Sequence, residues 1–502
     1  MDINTIIILG VAIAIILSSF VIGWLGMKKL KSNQDYFGAT MQFGPFSTGM
    51  SVMAGTVSAF ALVGVNGLVY ANGTSMALWM LTSCAGAFAM LLLAKKVRGM
   101  AELGPVSSLG DLTDLRFANS RVIKGFMSFV LMLGCLAYLS SQITAGAAML
   151  SHLMGWSQIV SGLVIFSVVA LYMSFSGEIG GMLTQAYQGV VMCVAVVVLL
   201  IAVLVTTGGM GGVMEAVASA GTVTSADGSI TKAFSPDLLN AWGTSAKATC
   251  FAWIFIPIVG TIGQPQCISR MYALKDPKDV PKTAIINCLS HIIVAAGSVF
   301  IGYGVLYLVA SGKIQPLAKA DDAIFVFADY CGLGVQIAAY TAVLAASMSS
   351  ASLYLSTSAI CLSKDLPSAL GVHFKPETQL KVSRITMLAM GFGAIFYSLY
   401  ASESVAILGT FGWGTLMSAT FPPFILGFLW KGISRRGVEA GLIVSAVLNV
   451  LSLSVIKWPG ALPWYINVIS LTLAVTVIVS LLVPDRDKNS IRAKKIDAVI
   501  NL

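Results

Sequence analysis

The sequence predicts an all-α polytopic membrane protein of about thirteen transmembrane helices, with the N-terminus outside and the C-terminus inside. Three observations carry that prediction. Of the 502 residues 57% are hydrophobic and 10% charged, whereas a soluble domain is about 45–50% apolar and 25% charged. The apolar residues fall into thirteen runs, most of them near the ~20 residues that cross a bilayer as a helix. When the connecting segments are assigned alternately to the two sides, 25 of the 30 Lys and Arg lie on one side, which is the inner one by the positive-inside rule. That asymmetry accounts for the formal net charge of +9 with no nucleic-acid partner.

The first run, 4–27, is too long for the apolar part of a cleavable signal and has no basic leader, so it reads as a retained span. The second, 45–71, contains MAGTVSAFALVG at 53–64. Gly55 weakens a helix interior there, and Thr56 and Ser58 compete for backbone hydrogen bonds. Unsatisfied backbone in lipid costs several kcal/mol per group, so an unwound turn survives only beside protein or a wet cavity. An interrupted span of this kind points to an ion and solute site at mid-membrane; the same small residues also suit plain helix packing. The third run, 75–94, ends in basic residues. The inner segment after it holds SLGDLTDLRFANSR (108–121), a short amphipathic stretch for the inner surface.

Runs 123–150, 157–175 and 186–207 follow, then a long outer loop, 208–244, rich in Gly, Ala, Ser and Thr, with one short helix expected near 213–220. Run 246–267 is the second irregular one, because Trp253, Pro257, Gly260 and Gly263-Gln264-Pro265 make a poor continuous helix. Runs 284–310, 334–362, 385–402, 404–430, 438–456 and 462–483 complete the set ahead of a basic tail, 485–502, which is too short for a signalling domain.

All 21 Asp and Glu fall in connecting segments or at membrane edges, with Glu178, at a break on the inner side, the nearest to an exception. Proton relays use acids or histidines inside the membrane. His291 lies within a run, near its inner end, and reads as a satisfied packing residue. The eight Cys are scattered, with no CxxC and no Cys/His spacing for a metal, so they read as small buried hydrophobes. No acid, base or metal cluster is in place for an enzyme, and no repeated filter sequence for a channel. A sodium ion needs neither, since carbonyls freed by a broken helix bind it together with hydroxyls. Run 334–362 supplies Ser347, Ser349, Ser350, Ser352, Ser356, Thr357 and Ser358. Ala346, Ser349 and Ser350 stand at i, i+3, i+4 on one helical face. Spacing alone is equally compatible with helix packing, the hydroxyls bonding back to their own carbonyls.

Six stretches together resemble the sodium:solute symporter family, which includes sodium/proline, sodium/pantothenate, acetate and sodium/glucose transporters. They are DYFGATMQFGPFSTGMSVMAG (35–55), LGDLTDLRF (109–117), AYLSSQITAGAAML (137–150), GQPQCISRMYALKD (263–276), LAASMSSASLYLSTSAICLSKDL (344–366) and GWGTLMSATFPPFILGFLWKGISRRGVEAG (412–441). The resemblance implies a LeuT-type core of two inverted five-helix repeats. Residues 1–44 would form an extra helix and inner loop, 45–207 the first repeat, 208–245 an outer loop, 246–437 the second repeat, and 438–502 two C-terminal helices and the basic tail. It implies a sodium ion held by backbone oxygens of Ala54 and Val57 and, on the eighth core helix, by the Ala346 carbonyl and the Ser349 and Ser350 hydroxyls.

This chain departs from the family pattern in places. Proline-transporting members have an Asp where this chain has Thr56, and a Trp in the sixth core helix where it has Pro257. Members that bind a second sodium use an Asp in a WTD-like motif, where residues 183–185 (LTQ) put Gln185. The departures predict one coupled sodium and argue against proline. Candidate solute-binding residues are Thr56, Phe60, Tyr138, Gln142, Trp253, Gln264 and Trp413. A half-helix N-terminus favours an anionic head group, so the expected solute is a monocarboxylate or carboxylate-bearing metabolite. A proton-coupled transporter of the same fold, and a sodium symporter for an amino acid or sugar, are the alternatives. The partners are then sodium, the solute and membrane lipid, and the expected location is a bacterial inner membrane.

Overall fold

The computed structural model describes residues 2–28, 37–401, 405–460, 462–485 and 491–502. Nine helices among the described residues are long and apolar enough to cross a membrane. The run Pro45–Ala101, at 57 residues, joins the predicted spans 45–71 and 75–94, and Gly73 at φ 77° marks the join. Predicted span 157–175 is present as the shorter apolar helix Gln158–Leu171. Predicted spans 404–430 and 438–456 correspond to helices Val405–Thr420 and Arg435–Ser454 and are not among the nine. The helices keep the order and approximate limits read from the sequence, while the number thirteen stays an expectation. Of the inner basic residues, Lys29, Lys31, Arg486 and Lys488 lie outside the described residues.

Local signals place the helix ends. Ser120, Ser157 and Ser434 each turn a hydroxyl onto the backbone N–H three residues ahead, starting the helices at Arg121, Gln158 and Arg435. The 50-residue helix Gln158–Thr207 would be about 75 Å long if straight, far beyond the ~30 Å hydrocarbon layer. It is broken at Gly177, whose φ of 58° and ψ of −162° suit glycine.

The serine-rich helix Leu333–Ile360 is buried along nearly its whole length from Ala338 to Ala359. It packs against helices Gln158–Thr207, Arg121–Met154 and Pro45–Ala59. This central position lets its hydroxyls meet other helices instead of lipid. By contrast, helix Ile3–Met27 leaves Ile6, Ile13, Leu17 and Val21 exposed, as a lipid-facing helix should. Close approach is needed at Gly412, where a Cβ would come within 2.7 Å of the Tyr138 backbone nitrogen.

The structure corrects several expectations. The outer loop has the helix expected near 213–220, as Met210–Ser219, but also an antiparallel hairpin pairing Thr222–Thr224 with Thr231–Ala233. The Asp227-Gly228 pair at its turn is a strong hairpin signal. His291 is fully buried as expected but not satisfied, since neither ring nitrogen has a partner among the described residues. Three charges assigned to inner segments or membrane edges, Arg270, Lys124 and Asp365, are buried within the protein. Lys124 pairs with Asp114, Lys364 with Asp111, and the Asp365 carboxylate accepts from Ser108 Oγ at 2.7 Å. These contacts fix the short inner helix Leu109–Arg116 against the end of the serine-rich helix.

Candidate functional site

The first broken helix carries the site. Pro45–Ala59 gives way to a wider π-helical turn, Phe60–Val65. The kink is at Ser58, with φ 55° and ψ 174°. A non-glycine residue there costs about 1–3 kcal/mol and persists only when its surroundings hold it. Two side chains of helix Arg121–Met154 do so. Tyr138 OH lies 2.7 Å from Ser58 Oγ, and Gln142 Oε1 accepts the Ala59 N–H at 3.0 Å. The Phe60 N–H turns to Ser58 Oγ at 3.2 Å.

Opposite the kink, Ser349 Oγ shares its one proton between the Ala54 carbonyl at 2.9 Å and the Ala346 carbonyl at 3.0 Å, and Ser350 Oγ reaches the Ala54 carbonyl at 3.3 Å. Four of the five residues predicted to hold sodium thus converge, all at 0% exposure. Val57 is equally buried, three residues beyond Ala54, and stands outside this hydrogen-bonded group. The convergence gives uncharged oxygens on two helices. Each hydroxyl can rotate its hydrogen away and present lone pairs to a cation. The oxygens that meet here are uncharged carbonyls and hydroxyls, a donor set that suits a monovalent cation.

Beside the kink the predicted aromatic residues gather. Phe60 and Trp253 have ring centroids 6.4 Å apart, and Tyr138 and Trp413 stack at 6.3 Å. Two rings that sequence reasoning missed complete the wall. Trp79 sits 4.7 Å from Phe60 and 5.3 Å from Trp413, and Tyr354 sits 4.5 Å from Tyr138. Tyr354 was findable, because it stands four residues beyond Ser350 on the same helical face. Trp79 lies in a short 3-10 helix, Gly73–Met80, with no local signal.

Not every predicted solute residue faces this wall with a free group. The Thr56 hydroxyl bonds back to the Val52 carbonyl at 2.7 Å, and Gln142 is occupied at the kink. Gln264 Nε2 reaches the Trp413 carbonyl at 3.5 Å while its Oε1 has no partner. Trp79 Nε1, Trp413 Nε1, Thr261 Oγ1 and Gln266 Oε1 are likewise buried with no well-formed hydrogen bond among the described residues. Buried polar atoms are normally paired, so these are polar groups with unused hydrogen-bonding capacity. The rings around them are at most 8% exposed.

On the inner flank, Gln185 Oε1 accepts from Ser51 Oγ at 2.8 Å and from Arg270 Nη2 at 2.8 Å. Sequence reasoning missed Arg270, counting it as an inner-loop charge. It lies inside the described helix Pro265–Ala273 and its side chain is 1% exposed.

The model of the sodium:solute symporter family matches residues 36–445. The osmoregulated proline transporter OpuE of Bacillus subtilis is 28% identical over 454 residues, 89% of this chain and 88% of that protein. The high-affinity proline transporter PutP of the same organism is 25% identical over 88% of this chain and 89% of its own length. Among solved structures, a Na+-coupled sialic acid symporter in a substrate-bound outward-open state aligns at a TM-score of 0.75 and 19% identity, covering 96% of this chain and 98% of that one. A nucleobase-cation-symport-1 family transporter in a closed conformation aligns at 0.53 and 13% identity, covering 94% and 96%.

Proposed function

Because this chain belongs to the sodium:solute symporter family, a family of membrane transporters and not of enzymes, we propose that it imports a small carboxylate-bearing solute, foremost a monocarboxylate, with one sodium ion per cycle. Sodium is the coupled ion, and the plasma membrane is where the chain acts; a bacterial inner membrane is the proposed setting. The observation that carries the reading is the meeting of the Ser349 and Ser350 hydroxyls with the Ala54 carbonyl across two helices.

The mechanism follows from where those oxygens sit. Sodium between Ala54, Val57, Ala346, Ser349 and Ser350 ties the broken helix to the serine-rich one. The kink at Ser58, next in the chain after Val57, also positions Phe60 and Tyr138. An ion that fixes the kink therefore favours the arrangement in which the solute meets its rings. Such coupling is reciprocal and typically about 1–3 kcal/mol. The sodium gradient drives inward movement; one sodium moving with one monocarboxylate anion carries no net charge, so the membrane potential, about 2.3 kcal/mol per charge per 100 mV, cancels for the pair. The proposed repeats, 45–207 and 246–437, would alternate access around this point. A single sodium is supported by Gln185 standing where second-sodium members have an acid, with the Arg270 guanidinium already bound to it.

The solute's carboxylate would be received by the indole N–H groups of Trp79 and Trp413. A second reading, an amino acid such as proline, is favoured by the proline transport of the two Bacillus relatives; Thr56 and Pro257 speak against proline itself. Uptake of labelled monocarboxylates and of proline into proteoliposomes, with sodium replaced by choline or potassium, tests both. The proposal expects sodium-dependent monocarboxylate uptake, and sodium-dependent proline uptake alone would replace it with the second reading.

A further inference from the structure

Between the candidate cation site and the inner surface lies a buried ion pair that the site chemistry above does not use. Arg270 Nη1 meets Glu178 Oε1 at 2.6 Å, with the two side chains 1% and 9% exposed. The other carboxylate oxygen accepts from Ser356 Oγ at 2.7 Å. The rest of the guanidinium is bound as well: Nη2 to Gln185 Oε1 at 2.8 Å, Nε to Ser51 Oγ at 3.2 Å and Nη1 to Ser269 Oγ at 2.8 Å. Gln185 Nε2 in turn reaches Ser352 Oγ at 3.2 Å, and Ser352 Oγ donates to the Ser349 carbonyl at 2.7 Å. An unbroken line of hydrogen bonds therefore joins the ion pair to Ser349.

Both charged residues sit just past helix interruptions. Glu178 follows Gly177, the break in helix Gln158–Thr207, and Arg270 is on Pro265–Ala273, beyond the interruption at Gly263 and Gln264. Beside the pair is a small cleft lined by Glu178, Ser269, Arg270, Thr357, Cys361 and Asp365. Movement of either half-helix would part the two charges and join this cleft to the oxygens above.

We propose that Glu178 and Arg270 form the inner lock of the transport cycle. Closed, the pair bars the cation's way from Ala54, Ser349 and Ser350 to the inner cleft. Parted, it leaves the Glu178 carboxylate, with Gln185 and Ser356, as the acceptor through which the cation departs. The guanidinium is a tethered cation that fills this nest of oxygens until release. The inference rests on the sodium reading of the site.

The test uses the full chain in proteoliposomes, with native Cys361, 3% exposed at the cleft, as reporter and C361S as its control. In E178Q the guanidinium loses its acid, so the closed state is disfavoured, and maleimide labelling of Cys361 from the inner side should rise about fivefold in saturating external sodium. In R270Q the carboxylate is uncovered, so internal sodium should inhibit solute uptake at a concentration about tenfold lower than in the parent. The charge swap E178R with R270E should return labelling towards the parent level, which damage to the fold would not. If sodium still stabilises every variant but labelling and internal inhibition do not move, the lock is wrong and the sodium site stands. If sodium stabilises not even the parent, the site reading falls and the lock falls with it.

Discussion

Ser349 shares its hydroxyl proton between carbonyls on two helices, Ala54 and Ala346, and so brings oxygens of both to one point. The Thr56 hydroxyl, by contrast, bonds back to the Val52 carbonyl of its own helix. S349A should therefore raise the half-saturating sodium concentration for uptake by about tenfold, equivalent to about 1.4 kcal/mol. S350A should have a smaller effect, since its contact is 3.3 Å; a sodium titration of uptake reads both. Tyr138→Phe removes the partner that holds Ser58 in its strained conformation. It should cost about 1 kcal/mol of stability and lower uptake several-fold, measured by thermal unfolding and solute flux. At this scale the sequence was informative where chemistry repeats along one helix, as with Ala346, Ser349 and Ser350. It was silent on Trp79 and Arg270, whose roles come from partners far away in the chain.

The two interrupted helices show what a composition can and cannot say about an element. The glycine, threonine and serine content of 53–64 located the break, with Gly55, Thr56 and Ser58 all candidates for it. The chain bends at Ser58, because Tyr138 and Gln142 supply the hydrogen bonds that hold it there. A Cβ at Gly55 would meet Leu353 and Gln266 at 3.4 and 3.7 Å, ordinary van der Waals contact, so space does not require glycine there. Gly177 is the other kind of break, and G177A should strain the backbone by about 1–3 kcal/mol, lowering the unfolding temperature and the uptake rate together. The outer hairpin has its own pH signature. The Ser225 and Ser229 hydroxyls and the Ser229 N–H hold the Asp227 carboxyl down at about 2. A depressed carboxylate stabilises the turn fully above its ordinary value near 3.9 and loses that contribution as pH falls through about 2. Hydrogen exchange at Ser229 and Ile230 should therefore be insensitive to protonation of Asp227 between pH ~5 and ~8, and D227A should speed it throughout.

For the molecule as a whole, hydropathy and charge asymmetry were enough to read the order of helices, because lipid imposes both directly. The contacts that make a site were not legible in the same way. Ser51 meets Gln185, Gln185 meets Arg270, and Ser349 meets Ala54 across long stretches of chain, and no local period encodes such pairings. The family motifs supplied what periodicity could not, since they fix which spans face one another. The central claim is that uncharged oxygens from two helices hold the coupled sodium. It is tested most directly by the thermal unfolding of the purified chain in sodium, potassium and choline, beside the S349A/S350A double variant. The account predicts that sodium alone stabilises the parent and that the double variant loses the effect; equal stabilisation of the double variant by sodium would contradict it.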